Sequence, residues 1–131
     1  MEQQRNSIDD LTHNVINCAM EISNTVGSGF KEKVYDKSMQ VEFELRKIAY
    51  SSQQTFEVNY KGHLVGNFVP DLVVENRLIV ELKATDSISN QDLAQVLNYL
   101  KASEYKLGLI LNFGKPKLQI KRVILNKVPK Q

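Results

Sequence analysis

The sequence has no tryptophan, a single cysteine (Cys18), three prolines and two histidines in 131 residues. A lone cysteine closes no internal disulfide, and no Cys/His spacing suits a zinc site. The composition points to a chain kept in a reducing cytoplasm, with Cys18 a small apolar residue of a helix. No apolar run approaches the roughly 20 residues of a membrane span. Met1 to Asn6 is polar, without the apolar core of a signal peptide. The expectation is a cytoplasmic protein with no membrane partner. Hydrophobic content of 42% and charged content of 24% describe an ordinary globular chain. At this length it makes one domain, residues 1–131, with a core of its own.

Charge is unevenly spread. Residues 1–100 hold 9 Lys and Arg against 14 Asp and Glu, whereas residues 101–131 hold 8 against Glu104 alone. A basic end beside an acidic stretch suits a polyanion lying across the protein. Solubilising lysines account for it almost as well.

The stretch from Pro70 to Lys83 organises the rest. Two apolar runs, Val69 to Val74 and Leu78 to Leu82, flank the polar break Glu75-Asn76-Arg77, which reads as a β-hairpin. Side chains alternate faces along a strand, so Glu81 and Lys83 share one face. With a three-residue turn, Val74 pairs with Leu78 and Asp71 falls opposite Glu81. An even-length turn would send Asp71 to the other face. Two carboxylates on strands otherwise built for burial raise each other's pKa and cost free energy unless a cation joins them. Mg²⁺ and Mn²⁺ favour carboxylate, carbonyl and water oxygens. Lys83 would then stand beside the ion, suited to hold or activate a water. The same residues also suit a solvated outer face with Asp71 opening a turn, and the hairpin alone does not decide.

Around this hairpin, Ser7 with Asp10 reads as an N-cap, and Leu11, Val15, Ala19, Ile22 and Val26 follow at helical spacing. A helix over 8–26 therefore stops at Gly27-Ser28-Gly29. A second helix, about Phe30 to Lys47, carries Phe30, Val34, Ser38, Val41 and Leu45 on one stripe and Glu32, Tyr35, Met39 and Phe43 on the next. Glu32 in its first turn suits the helix dipole. Gln54 to Tyr60 alternates as a strand, and a long strand begins at Leu64 and runs into the hairpin. Gly66 and Pro70 within it imply a bulge or an edge position. Ser89 to Asp92 is a second capping box, opening a helix to about Lys101 with Leu93, Val96, Leu97 and Leu100 as its seam. Gln95 and Tyr99, four apart, stack on one face roughly opposite that seam. Lys106–Leu111 and Leu118–Leu125 read as strands joined by Asn112-Phe113-Gly114-Lys115-Pro116. His13 and His63 read as exposed, and residues 126–131 as a frayed tail, like residues 1–6. The order is α-α-β-β-β-α-β-β, an α/β chain with a mixed β-sheet flanked by helices.

This order, with Pro70-Asp71, then Glu81-Leu82-Lys83 and then a helix, resembles the PD-(D/E)xK nuclease superfamily. Gly29-Phe30-Lys31-Glu32-Lys33-Val34-Tyr35, with Asn112-Phe113-Gly114 before a final basic strand, resembles its small GxxExxY family. Gln95-Val96-Leu97-Asn98-Tyr99 matches the Q-x-x-x-Y element of its exonuclease-like branch. The resemblance covers about residues 8–125. It implies a restriction-endonuclease-like core and metal-assisted hydrolysis of a phosphodiester, most simply in DNA, in repair, processing or defence. It implies that Asp71, Glu81 and the Leu82 carbonyl bind Mg²⁺ or Mn²⁺, that Lys83 orients or deprotonates water, and that Glu32 binds through metal water or completes a second site. Gln95 and Tyr99 would hold the scissile phosphate or order its surroundings. The alternative is an inactive nuclease-fold module that binds nucleic acid or a protein. A bare domain of this size could also act as a homodimer, for which the sequence offers no interface.

Overall fold

The structure, a computed structural model, describes residues 7–126. Apart from Asn126, the two ends expected to fray lie outside the described residues. Helix α1 (Ile8–Val26) has the expected bounds, with the Ser7 hydroxyl accepting from the Asp10 amide at 3.1 Å. Leu11, Val15, Cys18, Ala19 and Ile22 form its buried stripe. Gly27, at φ 78°, ends it.

Helix α2 (Glu32–Leu45) is two residues shorter at each end than its periodicity implies. Of its two stripes, Tyr35, Met39 and Phe43 are buried, while Phe30, Val34, Val41 and Leu45 are exposed. Tyr35 explains the choice. Its hydroxyl donates to the Gly27 carbonyl at 2.7 Å and accepts from the Phe30 amide at 3.2 Å. Its ring stacks on Phe113 at 4.6 Å.

The long strand expected from Leu64 into the hairpin is two strands in two sheets. Strand β3 (His63–Phe68) pairs with β2 (Phe56–Tyr60) alone, as a two-stranded sheet. Pro70, which has no amide to donate, stands between β3 and β4 (Leu72–Val74). The bulge expected near Gly66 is there: Val58 pairs with Gly66 and Asn59 with Leu64, skipping Val65. A short strand the sequence did not announce, β1 (Tyr50–Ser51), pairs with β4. With β5 (Leu78–Lys83), β6 (Leu107–Asn112) and β7 (Gln119–Ile124) these make a five-stranded sheet of order β1-β4-β5-β6-β7. The β5–β6 pair is parallel and the other pairs antiparallel. Three helices and a mixed sheet give the α/β class, consistent with a restriction-endonuclease-like core.

The pleat of β5 divides the core. Leu78, Val80 and Leu82 face α1 and α2 together with Leu72, Val74, Leu109 and Leu111. Ile79 faces α3 (Asn90–Ser103) with Val96, Leu100, Ile110 and Val123. Gly108 lets α3 approach this closely, since a Cβ there would lie 2.6 Å from a Val96 methyl. By strand alternation Glu81 and Lys83 follow Ile79, at the polar end of the α3 face.

Candidate active site

The hairpin has the odd register. Val74 pairs with Leu78, Val73 with Ile79 and Leu72 with Val80, which puts Asp71 opposite Glu81. Glu75 and Asn76 turn the chain with φ of 51° and 55°, and the Arg77 amide donates to the Val74 carbonyl at 3.0 Å. That is the left-handed pair a tight hairpin turn requires. Each carboxyl is then fixed by the opposite strand's backbone. The Asp71 amide donates to Glu81 Oε1 at 2.9 Å, and the Leu82 amide donates to Asp71 Oδ2 at 2.8 Å. A second oxygen remains on each beyond these two bonds.

Glu81 is 6% exposed. Burial, and then the neighbouring Asp71 charge, push its pKa up to about 8. Burial also raises Asp71, opposed by the Leu82 amide. At neutral pH the pair therefore holds a proton in place of a second negative charge. Lys83 is drawn aside: its ammonium lies 3.5 Å from Asp92 Oδ1. Asp92 also closes the α3 capping box, accepting from the Ser89 amide at 3.0 Å while the Ser89 hydroxyl accepts from the Asp92 amide. The Ser89 amide, then the Ser89 hydroxyl and Lys83, hold its carboxyl below the usual range. Lys83, Gln95 and Tyr99 line one open cleft of about 420 Å³. The Tyr99 ring stacks on Phe68 at 4.3 Å, and its hydroxyl is raised by burial and next by the charges of Glu81 and Asp71.

A scan against family models matches residues 9–123 to the PD-(D/E)XK nuclease superfamily, nearly the whole chain. The chain belongs to that superfamily. No curated protein and no solved structure matches it. Asp71 stands one residue before β4, opposite Glu81, and Glu81 and Lys83 share one face of β5.

Glu32 is less closely gathered. Among the described residues no three His, Cys, Asp or Glu side chains converge tightly enough to hold a metal ion between them. Glu32 is exposed at the start of α2, yet desolvation of its carboxyl and then the Asp71 charge raise its pKa, while Lys83 lowers it. It thus shares the field of the pair from a distance.

Three residues escaped the sequence reading. Asp36, one turn after Glu32, raises both Glu32 and Asp71; the i, i+4 spacing from Glu32 was the available signal. Asp92 read only as a cap. Asn112, fully buried, read as a turn residue and as part of the Asn112-Phe113-Gly114 resemblance, with no bonding role of its own. Its side-chain oxygen accepts from the Thr85 and Gly114 amides, each at 3.0 Å. Its nitrogen donates to the Thr85 carbonyl at 3.0 Å and to Gln119 Oε1 at 3.1 Å. The Phe113 amide donates to the Lys83 carbonyl at 2.8 Å. A Cβ on Gly114 would overlap the Thr85 backbone. Asn112-Phe113-Gly114 thus clamps the chain leaving Lys83. Through the Tyr35–Phe113 stack it ties that chain to α2, three residues from Glu32.

Proposed function

We propose that this superfamily member is a Mg²⁺- or Mn²⁺-dependent nuclease that hydrolyses phosphodiester bonds of DNA in repair, processing or defence, and that it is of the GxxExxY type. The observation that carries the reading is the pair Asp71 and Glu81, each held by the other strand's amide, with Lys83 next on the same face.

The donor set fits a hard divalent cation. Two carboxyls with pKa raised mainly by burial stand opposite each other, and an oxygen-seeking ion bound by both would displace the proton that the pair holds. Asp71, Glu81 and the Leu82 carbonyl would hold it. When bound, such an ion lowers the pKa of water and offsets charge on the phosphate. The protein's own groups do the rest. Lys83, on release from Asp92, donates to the water and orients it. Glu32 acts through an intervening water. Gln95 and Tyr99 hold phosphate oxygens in the cleft they share with Lys83.

Two observations favour a second reading, a module that binds nucleic acid or a protein without cutting: Lys83 is engaged by Asp92, and Glu32 stands outside any compact ligand set among the described residues. Incubation with single-stranded, duplex and branched DNA, in Mg²⁺ and in Mn²⁺, separates the two. The nuclease reading expects metal-dependent cleavage that disappears in Asp71→Asn. No cleavage of any substrate, with DNA binding unchanged in Lys83→Ala, would establish the module instead.

A further inference from the structure

The open cleft at Lys83 has a neighbour beyond Tyr99. This second groove, of about 480 Å³, shares Asn98 and Tyr99 with the first and lies between α3 and the β2–β3 hairpin, past Asn59 to Lys101 and Ala102. Together they follow α3 from Gln91 to Ala102, about 16 Å at the helical rise per residue. That length accommodates about five stacked nucleotides of one strand.

Amides dominate the polar lining. Gln91, Gln95, Asn98 and Asn59 are all exposed along it, while the cations are Lys83 at one end and Lys101 at the other. Lys83 is already matched by Asp92. A duplex surface works mainly by neutralising rows of phosphates, which needs many Lys and Arg. Amides instead pair with the edges of bases. In a duplex those edges are reached by sliding an element into a groove. Here α3 is walled on that side by the hairpin, since Phe68 stacks on Tyr99 and the Phe56 ring meets Tyr105 edge-on at 5.6 Å. Bases must come to α3 rather than α3 to them, and only an unpaired strand offers its bases freely.

We propose that these two adjoining clefts form a binding site for single-stranded DNA, seating the nucleotides that flank the phosphate held at Lys83. Gln91, Asn98 and Asn59 contact base edges, Gln95 keeps its phosphate, and Lys101 meets a further backbone phosphate. The proposal rests on the nuclease reading above for which end of the strand meets Lys83.

Fluorescence anisotropy in EDTA tests it without requiring cleavage. The probes are a 12-nucleotide DNA strand of mixed sequence, its 12-base-pair duplex, and RNA of the same sequence. The DNA strand should bind at least tenfold tighter than the duplex. Asn59→Ala/Asn98→Ala/Lys101→Ala should weaken strand binding about tenfold. If that variant melts far below the parent, Asn98→Asp alone, at an exposed position, should show the same loss. Equal or tighter duplex binding, tighter RNA binding, or unchanged strand affinity in the variant overturns the proposal. Cleavage assays in Mn²⁺ run alongside separate the two readings. Strand preference without any cleavage keeps the groove and removes the enzyme. Cleavage without strand preference does the reverse.

Discussion

Among the described residues, α1 and α2 cover a cluster of sixteen buried residues on one face of the five-stranded sheet, from Leu11 to Phe113. On the other, α3 covers five. The same strand, β5, serves both: Leu78, Val80 and Leu82 anchor the larger side, and on the smaller side the row that begins with Ile79 ends in Glu81 and Lys83. The difference shows how a chain of this size accommodates buried carboxyls. Stability is concentrated under the two N-terminal helices, which leaves the α3 side free to carry polar groups and an open groove.

Substitutions can break or sharpen that contrast. The largest effect belongs to the polar row. Asp71→Asn and Lys83→Ala should each lower metal-dependent DNA cleavage by at least about a thousandfold, with thermal melting close to the parent's. A large loss of folding would instead mean that the polar row also carries stability. Next come the two cores. Leu111→Ala, on the large side, should cost about 4 kcal/mol in urea unfolding, and Leu100→Ala, on the small side, about 2–3 kcal/mol. Equal costs would refute the asymmetry. Gly114→Ala should cost about 2 kcal/mol by pushing Thr85 away from the clamp.

A pH titration sharpens the contrast further. Glu81 has a folded pKa of about 8 against an ordinary value of 4.5. Between those values the folded chain binds a proton that the unfolded chain has released. Metal-free stability therefore falls as pH rises from 4.5 through about 8. Glu81→Gln should flatten that fall, and Mg²⁺ or Mn²⁺ should stabilise the parent increasingly toward alkaline pH. A metal-induced rise in melting temperature that shrinks with pH would contradict the shared proton. The smallest change is Ser89→Ala, which removes the α3 cap and should cost about 1 kcal/mol.

Much of this was legible in the sequence because it depended on neighbours along the chain. The Ser7 and Ser89 caps, the bounds of α1 and the odd register at Glu75-Asn76-Arg77 are set within a few residues. What escaped depended on distant partners. Nothing local says that Tyr35, rather than Val34, faces inward; the reason is Phe113, far along the chain. Nor does the run from Leu64 to Val74 reveal that it changes sheets at Pro70, since both halves keep strand character. Asn112 is a similar case. A buried amide with four partners looks, in sequence, like any other turn asparagine.

The clamp on the chain beyond Lys83 also sets an order of events during synthesis. Glu32, Asp71, Glu81 and Lys83 are all synthesised before Asn112, Phe113 and Gly114, Lys83 by about 2–6 s at ordinary elongation rates. Until then β5 has no parallel neighbour in β6, and the Lys83 carbonyl waits for the Phe113 amide. The acidic centre therefore matures late, and a nascent chain halted near residue 100 would hold its charged residues without the frame that aims them.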